Sequence, residues 1–104
     1  MKKIFISQPM ADLTDEEILK RREEAAKKLE ESVDGEEFIV IDSFFEKAPT
    51  YAKPLWFLGK SLELLSDADY VLFLDGWNNA RGCRIENICA LEYGIQAIYE
   101  SDLN

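Results

Sequence analysis

Residues 70–74, Tyr-Val-Leu-Phe-Leu, form an unbroken apolar run that stops abruptly at Asp75-Gly76. A run of this length without polar alternation reads as a strand buried on both faces. Beyond it the chain ceases to look like core. Trp77, Asn78, Asn79, Ala80, Arg81 and Gly82 make a loop of aromatic, amide, cationic and flexible residues. Ile85, Ile88, Cys89 and Glu92 then recur at helical spacing as far as Gly94. A buried strand, a loop and a helix in this order are the unit whose carboxyl-end crevice holds ligands in open α/β sheets.

A doubly covered strand needs neighbours, and the rest of the chain supplies them. Residues 3–7 read as the first and central strand, broken at Gln8-Pro9-Met10 because proline cannot continue a central strand. Ser7, Gln8, Pro9 and Met10 therefore lie at its carboxyl end, as a ligand loop or an ordinary connection. Thr14 with Glu17 three residues on makes a capping box, with Leu13 and Ile18 as the hydrophobic staple. The helix they open turns Ile18, Ala25, Leu29 and Val33 inward. Its solvated face carries four i,i+4 pairs: Glu16-Lys20, Glu17-Arg21, Glu23-Lys27 and Glu24-Lys28. Arg22 falls inside the apolar stripe, so its stem is expected to be buried with its head snorkelling to water, or else reaching a ligand or a core carboxylate.

Asp34-Gly35 closes that helix, and residues 38–41 (Phe-Ile-Val-Ile) read as a second buried strand ending at Asp42-Ser43. The connection over residues 43–53 is too aromatic for a passive linker and is expected to pack as a flap or to meet a partner subunit. Pro54 suits the first turn of a helix with Leu55, Leu58, Leu62 and Leu65 as its apolar repeat. Residues 95–99 give a short last edge strand.

At 104 residues and 47% apolar, the chain fits one domain, residues 1–104. It has no apolar run of spanning length, and Met1-Lys2-Lys3 is followed by too short an apolar stretch for a signal peptide, so a cytoplasmic protein without membrane contact is expected. A net charge of −9 opposes binding to a nucleic-acid polymer. A monomeric nucleotide is a different matter, since a helix N-terminus and one or two arginines can hold a single phosphate. Phe44, Phe45, Tyr51, Trp56 and Phe57 cluster beyond what one small core can cover, which points to a homo-oligomer, dimer or higher.

Cys83 and Cys89 lie on different faces of one helix, roughly 9 Å apart along its axis, and cannot pair with each other. Cys83, at the helix start, is a candidate for a lowered pKa, but the chain has no histidine to activate it. The same absence removes Ser-His-Asp chemistry and makes a metal site improbable. Catalysis, if present, leans on carboxylates, hydroxyls and arginine, and no cofactor is expected.

Glu86 is the carboxylate best placed for this. Counted from Gly82 it falls in the first helical turn, with Cys89 and Ala90 at i+3 and i+4. Partial burial raises its pKa, while the helix N-terminus and Arg81 or Arg84 favour the anion. The bland alternative is a glutamate that merely complements the helix dipole.

Ile6-Ser7-Gln8-Pro9-Met10, Ser66-Asp67-Ala68-Asp69 and the stretch G-W-N-N-A-R-G-C-R-I-E-N-I-C-A at 76–90 closely resemble a family of small phage and bacterial proteins. Those proteins look like compact members of the nucleoside 2-deoxyribosyltransferase superfamily. The resemblance covers nearly the whole chain and is strongest at Gly82-Cys83-x-x-Glu86-x-x-x-Ala90. It implies Glu86 as catalytic nucleophile and Asp75 as the carboxylate that contacts the base and assists its departure. Ala80, Cys83, Ile88 and Ser61 depart from the superfamily's usual Asp, Thr, Gly and Asp, which leaves a binding-only descendant open.

The expected fold is a flavodoxin- or Rossmann-like three-layer α/β/α sandwich on a mainly parallel four-stranded sheet, order 2-1-3-4. The expected ligand is a small-molecule nucleoside or nucleotide. Ser7, Gln8, Pro9, Met10, Asp42, Asn78, Gly82 and Cys83 would line its site, with Trp77 stacking on the base or anchoring the loop and Arg81 meeting a phosphate or capping the loop.

Overall fold

A computed structural model describes residues 1–33, 35–44 and 49–103. Strands β1 (Lys2–Ser7), β2 (Phe38–Val40), β3 (Tyr70–Phe73) and β4 (Gln96–Tyr99) alternate with helices α1 (Asp15–Ser32), α2 (Pro54–Leu65) and α3 (Arg81–Glu92). All strand pairs are parallel and the order is β2-β1-β3-β4, as the sequence predicts.

Side-chain alternation along the strands builds two core layers. Ile4, Ile6, Leu72 and Leu74 meet Ala25 and Leu29 of α1 on one face. Phe5, Val71 and Phe73 meet Leu65 of α2 and Ala90 of α3 on the other. β3 is buried from both sides because helices cover both faces. Right-handed crossovers explain the layering: β1 leads to β2 in one direction and β3 leads to β4 in the other, so α1 and α3 fall on opposite faces. The neighbours β1 and β3 thus form the switch point of the sheet, and a crevice opens beyond their carboxyl ends.

The capping box of α1 is present, with Thr14 Oγ1 accepting from the Glu17 N–H and Glu17 Oε1 from the Thr14 N–H, both at 3.1 Å. The helix runs to Ser32 with Val33 as C-cap; Asp34 lies outside the described residues. Pro54 occupies the first turn of α2.

Several expectations are corrected. β2 is an edge strand covered on one side only, with Ile39 51% exposed rather than buried. Leu55, in the first turn of α2, is 76% exposed, while Leu65 at the far end of the helix is core. Two of the cations expected to pair along α1 turn elsewhere. Arg21 and Lys28 reach Glu100, at 3.7 and 3.3 Å, since a carboxylate that is 8% exposed attracts more strongly than one in water. Among the described residues no helix is long and apolar enough to cross a membrane.

Candidate functional site

The site grows from Ser7, the last residue of β1, and Gln8, which follows it. Ser7 and Gln8 are both buried, and strand alternation sends them to opposite faces. Ser7 Oγ donates to Glu86 Oε1 on α3 at 2.7 Å. Gln8 turns toward α1: its Nε2 donates to the Ile18 carbonyl at 3.0 Å, and its Oε1 accepts from Arg22 Nε at 2.8 Å. One dipeptide at the strand end therefore fixes an anion on one side of the sheet and a cation on the other.

Glu86 is 7% exposed. The helix begins at Arg81, one residue before Gly82, which puts Glu86 in the second turn. There the N-terminal N–H groups are already out of reach, so complementing the dipole does not account for it. Burial pushes its carboxyl above the ordinary range; hydrogen bonds from Ser7 and, more weakly, Ser61 oppose the rise, as does the charge of Arg22. The inward face of α3 is Cys83, Glu86, Asn87 and Ala90, with Ile88 59% exposed. The apolar repeat read from the sequence therefore points partly outward, because α3 turns a polar stripe toward the crevice.

Arg22 does not snorkel. It is 8% exposed, and its guanidinium reaches in to Gln8. Burial lowers its pKa, while Asp42 and Glu86 act in the opposite sense. Cys83 is not an activated thiol: burial pushes it up to about 11, and the charge of Glu86 adds to the rise.

Gln8, Cys83 and Glu86 border a crevice of about 1100 Å3 at the switch point; Ser7 and Arg22 reach its walls through Glu86 and Gln8. Gln8, Pro9 and Met10 form one wall; Arg81, Gly82, Cys83 and Glu86 form another. Ser43, Lys53 and Ser61 complete it from β2 and α2. The Pro9 wall depends on Gly76, whose φ of +90° favours glycine and where a Cβ would lie 3.4 Å from Pro9 Cγ.

Five expected site residues are not on these walls, Ser7 meeting them only through Glu86. Asp75 is exposed; its N–H donates to Glu100 Oε1 at 2.8 Å and its carbonyl accepts from Arg21 at 3.2 Å. Trp77 packs on Phe73 and Tyr99, at centroid distances of 5.3 and 5.4 Å, as a loop anchor beside the sheet. Asn78 is exposed, and its carbonyl accepts from Arg84 at 3.4 Å. Asp42 accepts from the Phe44 N–H at 3.4 Å and touches the site through its charge on Arg22. Of the aromatic connection, Phe45 lies outside the described residues, while Tyr51 is exposed.

Sequence reasoning missed Ser43, Lys53, Asn87 and Glu100. Ser43 was accessible through the rule that singled out Asp42, its position just past a strand's carboxyl end. Glu100 obeys the same rule after β4, where it ties that end to Asp75 and α1.

The fold is that of a parallel α/β protein with a crevice at the switch point of its sheet. The chain belongs to the family described as a domain of unknown function, DUF4406, whose model matches residues 2–99. Comparison with curated proteins finds no match, and neither does comparison with solved structures.

Proposed function

We propose that the crevice binds a nucleoside or nucleotide and that Glu86 cleaves its N-glycosidic bond, by hydrolysis or by 2-deoxyribosyl transfer. The observation that carries this reading is a buried carboxylate on the crevice wall, oriented by Ser7 at 2.7 Å. An electron pair of Glu86 forms an ester bond to C1′ as the C1′–N bond breaks and the base departs with its electrons, taking up a proton. Water or a second base then attacks C1′ and releases the carboxylate. Burial strengthens the nucleophile, and Ser7, Ser61 and Arg22 favour its ionised form. Lys53 and Arg81 stand at the N-termini of α2 and α3, neither of which has a side-chain cap, an arrangement that suits a phosphate.

One observation favours a second reading. Asp75 lies off the crevice wall, so the base lacks the carboxylate expected to assist its departure. A non-catalytic nucleotide-binding protein retains the crevice without needing that group. On either reading the protein acts in the cytoplasm as a homo-oligomer, with exposed Leu55, Ile88, Leu91 and Tyr93 as its apolar contact residues. Nucleic-acid polymers are not its ligands, given the charge of −9.

The test is chromatography of free base from a panel of deoxynucleosides and their 5′-monophosphates. Release by the parent protein that is lost in Glu86→Gln supports the enzyme. Ligand-induced thermal stabilisation with no base released supports the binding protein, and neither response contradicts both readings.

A further inference from the structure

Two buried side-chain polar atoms among the described residues have no hydrogen-bond partner: Nη2 of Arg22 and Oγ of Ser43. Their residues are 8% and 4% exposed. Folded proteins satisfy nearly all such atoms, and each exception calls for a cause. Ser43 borders the crevice, and Arg22 stands behind the Gln8 wall of it. Arg22 is fastened to Gln8, and Gln8, Ser43 and Glu86 border the same crevice. Asp42, adjacent to Ser43 in the chain, and Glu86 both act on the Arg22 charge.

A guanidinium has only donors, so whatever completes Nη2 must bring a lone pair. Charge then narrows the choice. Asp42 and Glu86 already oppose the single positive charge of Arg22, and a further anion would meet two carboxylates. A neutral oxygen meets no such repulsion. A hydroxyl fits further, because it accepts from Nη2 while its own proton is free for a carboxylate or for Ser43. A phosphate finds better company at Lys53 and Arg81, on the walls made by the starts of α2 and α3.

We propose that Arg22 and Ser43 form a subsite for a neutral sugar hydroxyl, on the α1 side of Glu86. The ligand's identity rests on the nucleoside reading above, whereas the subsite rests on the two unpartnered atoms. A sugar hydroxyl held there turns the sugar ring toward Glu86, and Arg22 then both orients the ligand and favours the ionised carboxylate.

Ligand-observed NMR titration tests this with adenosine, 2′,3′-dideoxyadenosine and ribose 5-phosphate, on the parent protein, Arg22→Lys and Ser43→Ala. Lysine keeps the charge but lacks the second nitrogen; alanine removes a hydroxyl that has no partner, so the Ser43→Ala melting temperature should hold. The parent should bind adenosine more tightly than the dideoxy analogue by about tenfold, the worth of one good hydrogen bond. Each variant should weaken adenosine and leave the analogue unchanged, so that the preference collapses. Adenosine binding whose preference survives in both variants, or is missing in the parent, overturns the subsite and leaves the nucleoside reading standing. Binding of ribose 5-phosphate that depends on Arg22 and Ser43, with no binding of adenosine, supports the subsite and overturns the nucleoside reading. Failure of all three probes to bind the parent overturns both.

Discussion

Replacing Ser7 by alanine removes the hydroxyl that holds Glu86, and the structure sets the size of the effect. The bond is 2.7 Å long between residues that are 1% and 7% exposed, so water does not replace it freely. A hydrogen bond to a charged group nets about 1.5–3 kcal/mol, and one between neutral groups about 0.5–1.5. Ser7→Ala should therefore cost about 2 kcal/mol at neutral pH, or roughly 10 °C in melting temperature for a domain of this size. In a Glu86→Gln background the acceptor is neutral, and the same change should cost only about 1 kcal/mol, leaving a coupling of about 1 kcal/mol.

The pH dependence has a fixed sign. Because burial raises the Glu86 carboxyl above its ordinary 4.5, the folded state holds the proton more tightly than the unfolded chain. The stability this contributes is fully present below 4.5 and is lost as pH rises through the raised value. Glu86→Gln should accordingly be the more stable protein at neutral pH, with its advantage closing on acidification toward 4.5. The cost of Ser7→Ala should shrink over the same window. Urea unfolding of the four proteins of the cycle, at neutral pH and near 4.5, measures both. Equal costs of Ser7→Ala in the two backgrounds would refute a bond between this hydroxyl and an ionised carboxylate.

Cys83, with its thiol pushed up to about 11, should alkylate at least about a hundredfold more slowly than a free peptide thiol at mildly alkaline pH, as peptide mass mapping will show; rapid labelling contradicts its burial. Trp77→Phe should cost about 1 kcal/mol through lost packing on Phe73 and Tyr99 and leave nucleotide affinity unchanged. Lost affinity with an unchanged melting temperature would restore Trp77 as a base-stacking residue. Light scattering should give a particle heavier than the 12.0 kDa chain, and a monomer at micromolar concentration refutes the oligomer.

The sheet order was legible because it follows from strand-helix alternation and crossover handedness, which local patterns carry. The inward direction of Glu86 was legible by helical spacing, from its apolar neighbours at i+3 and i+4. What escaped was the direction in which side chains at the edges of these patterns point. Ile39 reads as core, yet an edge strand lacks cover on one side. Leu55 and Ile88 continue apolar repeats yet face outward, Ile88 because α3 turns its polar stripe inward. Arg22 sits in a stripe that would normally release its charge to water, and only the long-range meeting with Gln8 turns it inward. Trp77 and Asp75 have the chemistry of a site, but Tyr99 of β4 and Glu100 just after it, distant in sequence, claim them first.

The central claim is that Glu86 is a nucleophile rather than a buried structural carboxylate. Base release by parent and Glu86→Gln proteins, read beside their melting temperatures, tests it most directly. Release lowered by several orders of magnitude in a variant that melts no lower than the parent is the expected result; undiminished release from Glu86→Gln contradicts the assignment.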